Sequence, residues 1–244
     1  MKNAIPFFFC ALFSVLAACN DDTLPAGIVL EMKAVTTQSA VNGRQSASGL
    51  EFTKIMVGLT KLEFETEEEN EEEDKRGEED FQEEVEFKGP FKVDLISGTS
   101  APEFGQALTD PGIYDEIEFK FGPVLEGGKT IDIAFSFEGK QYEISSKAEK
   151  LEFELEQTEG LKIDENILTT ILVLIDMDML IDSLFKEIEE LEEEPVADAD
   201  GVIRINEASN AIFLEALLAS FEDSCDGGKD DDKDDRIDGK DDDD

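Results

Sequence analysis

Apolar and polar residues alternate along several short stretches of this chain, and this period of two is the feature that most constrains its fold. From 131 to 137 every second residue is Ile or Phe, and from 151 to 155 Leu and Phe alternate with Glu. Because successive side chains of a β-strand point to opposite faces, such stretches predict half-buried strands. Turn residues separate them, and Glu138-Gly139 is typical of a two-residue hairpin. The pattern predicts a mainly β chain, an antiparallel β-sandwich over 27–176.

One long candidate strand, Glu51 to Glu65, does not keep a constant alternation. The parity of its apolar residues shifts near Lys54 and again between Gly58 and Lys61. An extra residue in one strand of a pair shifts parity in this way. We therefore expect a bulge or bend at both places.

The spacing of the apolar residues changes after the last predicted strand. From Leu180 to Leu191, and again from Ala208 to Phe221, they recur as on one face of a helix. Asp178 is placed to cap the start of the first helix, and Pro195 is predicted to end it. Residues 177–221 are therefore predicted to form an amphipathic helix pair that packs on the sandwich.

Acidic residues dominate the charge of the chain. It has 62 Asp and Glu against 21 Lys and Arg, a formal net charge of -41, and no His. A polyanion would be repelled throughout, so nucleic acid is excluded as a partner. The lack of His excludes zinc-finger and Ser-His-Asp chemistry. Two acidic blocks, 67–84 and 222–244, are predicted to be a disordered insertion and a disordered tail.

The N-terminus has the features of a targeting segment. Lys2 precedes an apolar run from Ile5 to Leu16, which is too short for a stable membrane span, and Ala17-Ala18-Cys19 follows. This resembles the lipobox of bacterial lipoproteins, whose Cys is diacylated and becomes the new N-terminus. The resemblance implies a signal peptide over 1–18, lipidation at Cys19 and a lipidated tether over 19–26. An ordinary secretory peptide cut near Ala18 is the alternative.

Two acids follow the predicted lipidation residue. Asp21 and Asp22 resemble the export tag that takes some lipoproteins to the outer face of the outer membrane. The resemblance implies a lipid-anchored, cell-surface protein of the outer membrane. The alternative is that these two acids only begin a solvated tether.

Four segments recur in order in one group of proteins: Phe52 to Val57, Val93 to Leu95, Pro111 to Tyr114 and Leu168 to Asp176. In this order they resemble bacterial lipoprotein domains of unknown function with a prealbumin-like (transthyretin-like) β-sandwich. The resemblance covers Phe52 to Asp176. It implies an anchored extracytoplasmic module and names no activity.

The segment 196–207 has some features of an EF-hand calcium loop. Asp198 and Asp200 stand at its third and fifth positions, and Glu207 stands at the twelfth, where a bidentate ligand belongs. These three carboxylates are the candidate Ca²⁺ ligands.

Two positions of this loop depart from the EF-hand pattern. Val196, at the first position, has no side-chain oxygen, and Arg204 places a cation at the ninth. The alternative is an Asp-Gly turn followed by a short extended segment. The acidic tail likewise permits diffuse association with divalent cations.

No catalytic motif is visible. The chain has no G-x-S-x-G, P-loop or dinucleotide fingerprint. Cys225 is a lone thiol whose acidic neighbours are expected to raise its pKa, so we do not interpret it as a nucleophile. We therefore expect a non-catalytic binding or structural module, held at the membrane by lipid and able to bind an extracellular glycan or protein. The alternatives are a calcium-responsive lipoprotein and a hydrolase with an unrecognised carboxylate site.

Overall fold

A computed structural model describes most of the predicted domain. Its described residues are 26–36, 49–66, 84–149, 151–230 and 236–237. The predicted signal peptide, Cys19, the acidic insertion up to residue 83 and most of the acidic tail lie outside the described residues.

The described part of the chain is mainly β, with twelve strands and two helices. The strands are β1 Gly27–Val35, β2 Glu51–Glu65, β3 Glu84–Asp94, β4 Thr99–Ala101, β5 Gln106–Leu108, β6 Gly112–Phe121, β7 Ile131–Phe137, β8 Lys140–Ser146, β9 Leu151–Ile163, β10 Leu168–Asp176, β11 Val202–Ile205 and β12 Cys225–Lys229. The helices are α1 Met177–Leu191 and α2 Ala211–Ala219. A mainly β architecture with a C-terminal helix pair is thereby confirmed.

The strands form two sheets. One has four strands in the order β12-β10-β1-β5. The other has eight, with β11-β8-β7-β2-β3-β4 in order, β6 also paired with β2, and β9 paired with β6. Most strand pairs are antiparallel, as the predicted antiparallel β-sandwich requires, but two pairs, β1 with β10 and β8 with β11, are parallel. Both parallel partners are reached by long connections, which allow the chain to re-enter a sheet in the same direction.

The long strand β2 bends as its parity predicts. Its first half pairs with β7 and its second half with β6, while β3 lies along the other edge. The register shifts between Phe52 and Lys54 and again between Leu59 and Lys61. Both predicted irregularities are confirmed, and the second begins the stretch in which β3, β2, β6 and β9 run side by side.

Aromatic side chains fill much of the core. Phe119, Phe121 and Phe153 stack, with ring centroids 5.1 to 6.0 Å apart. Phe221, which follows α2, packs edge-on against Phe121 at 5.6 Å. On α1, the ring of Phe185 lies 4.6 Å from that of Phe137 on β7. The helices therefore pack on the sheets through aromatic contacts.

The helix boundaries differ from the predicted ones. Asp176, not Asp178, caps α1, because its carboxylate accepts the N–H of Met179 at 3.0 Å. The helix ends at Leu191 with Glu192 in the left-handed conformation, before Pro195 is reached. Between the helices the chain adds β11, so residues 177–221 are not purely helical.

The beginning of the acidic tail is part of the fold, so disorder from residue 222 onward is a wrong expectation. The strand β12 pairs with β10, placing Gly228 opposite Leu172. Ile237, which is 7% exposed, packs over Gly228. Leu172 is fully buried although alternate residues of β10 already face the core. An apolar strand with two buried faces needs this cover, which composition alone does not reveal.

Candidate functional site

One face of the larger sheet carries twelve charged side chains in three rows that cross β3, β2, β6 and β9. Strand pairing places the members of each row directly opposite one another. The first row is Glu84, Glu65, Glu116 and Glu156. The second row is Glu86, Glu63, Glu118 and Glu154. The lysine row is Lys88, Lys61 and Lys120, with Glu152 at its end. These twelve residues are the glutamate face.

Simple alternation along each strand produces this face. On β6, for example, Ile117 and Phe119 are buried in the core between Glu116, Glu118 and Lys120. The same alternation holds at the paired positions of the other three strands. Burying the apolar partners therefore brings the charges together on the opposite side.

The lysines pair with three of the four glutamates of the second row: Glu63, Glu86 and Glu118. The Lys120 ammonium lies 3.1 Å from Glu63 and 2.5 Å from Glu118. Lys61 contacts Glu63 and lies 3.3 Å from Glu86. The central carboxylate, Glu63, is only 3% exposed. A buried carboxylate needs such partners, because desolvation of an unpaired charge costs several kcal/mol.

The first row lacks this compensation. Among the described residues its one lysine ion pair joins Lys61 to Glu84, at 3.8 Å. Partial burial raises the pKa of Glu116, and the nearby carboxylates of Glu154 and Glu65 raise it further. The first row therefore carries unbalanced negative charge.

Two groups of carboxylates on the glutamate face approach the spacing of a metal site. Both contain Glu63, combined with Glu65 and Glu118 or with Glu84 and Glu86, and their oxygens lie within 4.8 Å of one another. However, the ammonium groups of the lysine row already contact Glu63. The arrangement is suited to binding several cationic groups across a row rather than enclosing one ion.

The predicted calcium loop adopts a different arrangement. Arg204 lies 2.7 Å from Asp198 and 2.8 Å from Asp200, and it also contacts Glu143 on β8 at 3.0 Å. Its guanidinium holds the pKa of Asp200 at about 2. The two predicted ligands thus form an ion-pair cluster that joins the turn to β8.

The third predicted ligand, Glu207, is directed elsewhere. Its carboxylate accepts the N–H of Lys147 at 2.5 Å and the hydroxyl of Ser146 at 3.2 Å. Burial alone would raise the pKa of Glu207, but these hydrogen bonds lower it overall. The structure therefore brings Asp198 and Asp200 together and does not bring Glu207 to them. The Ca²⁺ alternative at this loop stays a prediction without geometric support.

The predicted lipidation residue, Cys19, lies outside the described residues. Cys225 lies in β12, where burial, more than its acidic neighbours, raises the pKa of the thiol. The expected direction of this shift agrees with the structure, but its main cause is burial.

The glutamate face was missed at the sequence level. The alternation of Glu152, Glu154 and Glu156 with apolar residues predicts a half-buried strand and does not by itself predict a row of charges across strands. A signal was present, because charged residues alternate with apolar ones in each of the four strands. Their alignment into rows depends on strand order and register.

No protein-family model, curated protein or solved structure matches the chain. The likeness to prealbumin-like lipoprotein domains therefore stays an expectation. In the described residues, neither helix has the length and apolar character needed to cross a membrane.

Proposed function

We propose that this chain is a lipid-anchored, non-catalytic binding module of the bacterial outer membrane, exposed at the cell surface. Its glutamate face is the docking surface for a basic segment of a partner protein. One observation carries the docking proposal: two rows of four glutamates lie in register, and among the described residues the lysines pair with three glutamates of the second row but with only Glu84 of the first.

The spacing of the first row suits several basic side chains at once. Neighbouring strands lie about 4.8 Å apart, so four carboxylates span roughly 15 Å. Arg and Lys side chains from one segment reach over such a distance, and guanidinium groups bind carboxylates through paired hydrogen bonds. Besides burial, neighbouring carboxylates raise the pKa of Glu116, and the repulsion among these carboxylates is relieved when cations approach.

A second copy of this chain is a poor occupant of the face, because each copy has a net charge of -41. Catalysis is also a poor match. The carboxylates occupy a sheet surface, whereas acid-base chemistry on a bound substrate usually requires a concave, water-excluding pocket.

The anchoring part of the proposal depends on Cys19. The variant Cys19→Ala is expected to abolish acyl labelling and to release the chain from membranes. Unchanged labelling would refute anchoring at this residue and would leave the docking proposal standing.

Docking is tested with a fluorescent octa-arginine peptide at physiological ionic strength. The test variant replaces Glu65, Glu116 and Glu156 by Gln. The charge-matched control replaces Glu189, Glu190 and Glu193, which are exposed at the end of α1 or just beyond it. We expect the test variant to bind roughly tenfold more weakly, equivalent to about 1.4 kcal/mol, and the control to bind nearly as well as the wild type.

Equal losses in the two variants would mean that the peptide responds to diffuse charge, and the docking proposal would be wrong. Both variants remove three negative charges, so net charge cannot explain a difference between them. Thermal unfolding of each variant checks that the sheet is intact.

A divalent cation is the second candidate occupant, favoured by the carboxylate oxygens within 4.8 Å of one another around Glu63. It predicts saturable binding of Ca²⁺ alone, weakened by the first-row variant and not by the control. That result would identify a metal ion, and not a basic segment, as the occupant of the glutamate face.

A further inference from the structure

An exposed apolar patch lies where β1 begins, at one end of the four-stranded sheet. Its members are large apolar side chains about half exposed: Leu108 55%, Ile113 58%, Ile167 52% and Leu168 49%. These four residues are the apolar end patch. The other exposed large apolar side chains of the described residues are scattered through the C-terminal part: Met179, Val196 and Ile212.

Gly27 is the centre of this patch. It lies opposite Leu108 on β5 and opposite Leu168 on β10, and its N–H donates to the carbonyl of Ile167 at 3.1 Å. A Cβ at Gly27 would lie 2.8 Å from the Leu168 side chain. Leu168 therefore leans over the first residue of β1.

Ile113 is held at the same end by hydrogen bonds. The N–H of Thr109 donates to the carbonyl of Ala26 at 3.1 Å. The hydroxyl of Tyr114 bonds the Thr109 side chain and donates to the carbonyl of Asp110 at 3.1 Å. These bonds hold the segment before β6, and with it Ile113 at the start of β6, beside the start of β1.

The predicted tether leads to this patch. Ala26 lies seven residues after Cys19, and an extended chain spans at most about 3.6 Å per residue, or roughly 25 Å here. A lipid on Cys19 therefore keeps the patch within about 25 Å of the membrane. Such a tether raises the effective concentration of lipid at the patch, so a small apolar area is sufficient for contact.

We infer that the apolar end patch seats on the lipid surface that holds Cys19. This inference rests on the proposed acylation of Cys19. A zwitterionic lipid surface suits this end better than an anionic one, because Asp164 and Glu165 line a cleft with Ile113 and Lys162, and Asp110 lies in the adjoining loop. Seating determines which end of the sandwich faces the membrane and prevents the domain from rotating freely on its tether.

The test uses the lack of Trp in this chain, because a single introduced Trp is then the only indole. The patch variants are Ile113→Trp and Leu168→Trp, and the matched controls are Val196→Trp and Ile212→Trp, also at exposed apolar positions. Each acylated full chain is reconstituted in phosphatidylcholine vesicles whose acyl chains carry bromine, which quenches indole emission on contact. We expect at least about threefold more quenching at the patch positions than at the controls, because seated side chains enter the headgroup and acyl boundary.

Flotation with the vesicles separates anchoring through Cys19 from seating of the apolar end patch. Proteins that float while all four variants are quenched equally would overturn the seating and leave the anchoring intact. Proteins that do not float would refute the anchoring, and the seating would fall with it. Thermal unfolding in detergent identifies any variant that does not fold, and the remaining variant of the pair then decides.

Discussion

The ammonium group of Lys120 on β6 donates a hydrogen bond to the carboxylate of Glu63 on β2 at 3.1 Å, and this bond joins the two strands at the centre of the glutamate face. Glu63 is 3% exposed and also contacts Lys61. This pair indicates that some charges on the glutamate face stabilise the sheet, while others are available for binding. The second row and the lysine row stabilise the sheet, while the first row keeps its excess charge.

Lys120→Met should destabilise the fold. The methionine preserves most of the side-chain volume but leaves Glu63 with one cation instead of two. Since removing one partner of a buried ion pair leaves uncompensated charge, we expect a loss of about 1–3 kcal/mol in the free energy of unfolding. Urea denaturation at neutral pH measures it.

The control for this variant is Lys140→Met, whose ammonium lies 3.7 Å from the exposed Glu194. Exposed pairs contribute about 0–1 kcal/mol, so this change should be small. Equal effects of the two substitutions would contradict a structural role for the Lys120 pair.

Glu116→Gln should stabilise the protein at neutral pH. Partial burial and the carboxylates of Glu154 and Glu65 raise the pKa of Glu116 above its ordinary value. The folded protein therefore binds this proton more readily than the unfolded chain, and wild-type stability rises as pH falls through the raised pKa. Like charges on neighbouring strands cost roughly 0.2–1 kcal/mol, and the amide should recover that amount at pH 7.

Glu86→Gln is the opposite case on the same face. A hydrogen bond from Lys88, and another from Lys61, lower the pKa of Glu86 despite its partial burial. Its stabilisation is present above the unfolded pKa and is lost as pH falls through the lower folded value. This variant should be destabilised at pH 7 and approach the wild type in acid. Unfolding curves from about pH 3 to pH 7, which span the unfolded pKa of Glu, test both variants, and a shift of the two in the same direction would contradict the assignment of the rows.

Part of this architecture is visible in the sequence. Hydrophobic period identifies the longer strands, though not the short β4, β5 and β11, and the parity shifts in β2 locate both of its irregularities, because a bulge leaves a local mark on the pattern. The rows of the glutamate face leave no such mark, since they depend on which strands pair and in what register. The strand β12 was missed for another reason. Its sequence, CDGGK, has low strand propensity, and it is ordered by the apolar edge and face that β10 offers.

Glu207→Gln should lower stability whether or not Ca²⁺ is present. The carboxylate accepts hydrogen bonds from Lys147 and Ser146, and its pKa is lowered by them. The stabilisation is present above the unfolded pKa, near 4.3, and is lost as pH falls through the folded value. Since the side chain is exposed, we expect about 0.5–1 kcal/mol at pH 7 after allowing for solvent screening. Thermal unfolding in Ca²⁺ and in a monovalent salt at matched ionic strength measures it.

Asp198→Asn is the comparison for this experiment, because Asp198 contacts Arg204 and not Glu207. A stabilisation by Ca²⁺ that both substitutions abolish would restore the calcium loop and would show that the ion-pair cluster rearranges on binding.

Glu138→Asn should stabilise the hairpin between β7 and β8. Glu138 and Gly139 form its two-residue turn with φ angles of 49° and 78°. Asn tolerates this left-handed conformation better than Glu, and Asn-Gly is the preferred sequence of such turns. We expect a gain of roughly 0.5–1 kcal/mol in the free energy of unfolding. Glu138→Gln removes the same charge without the conformational preference, so a comparable gain in that variant would assign the effect to charge instead of to the backbone.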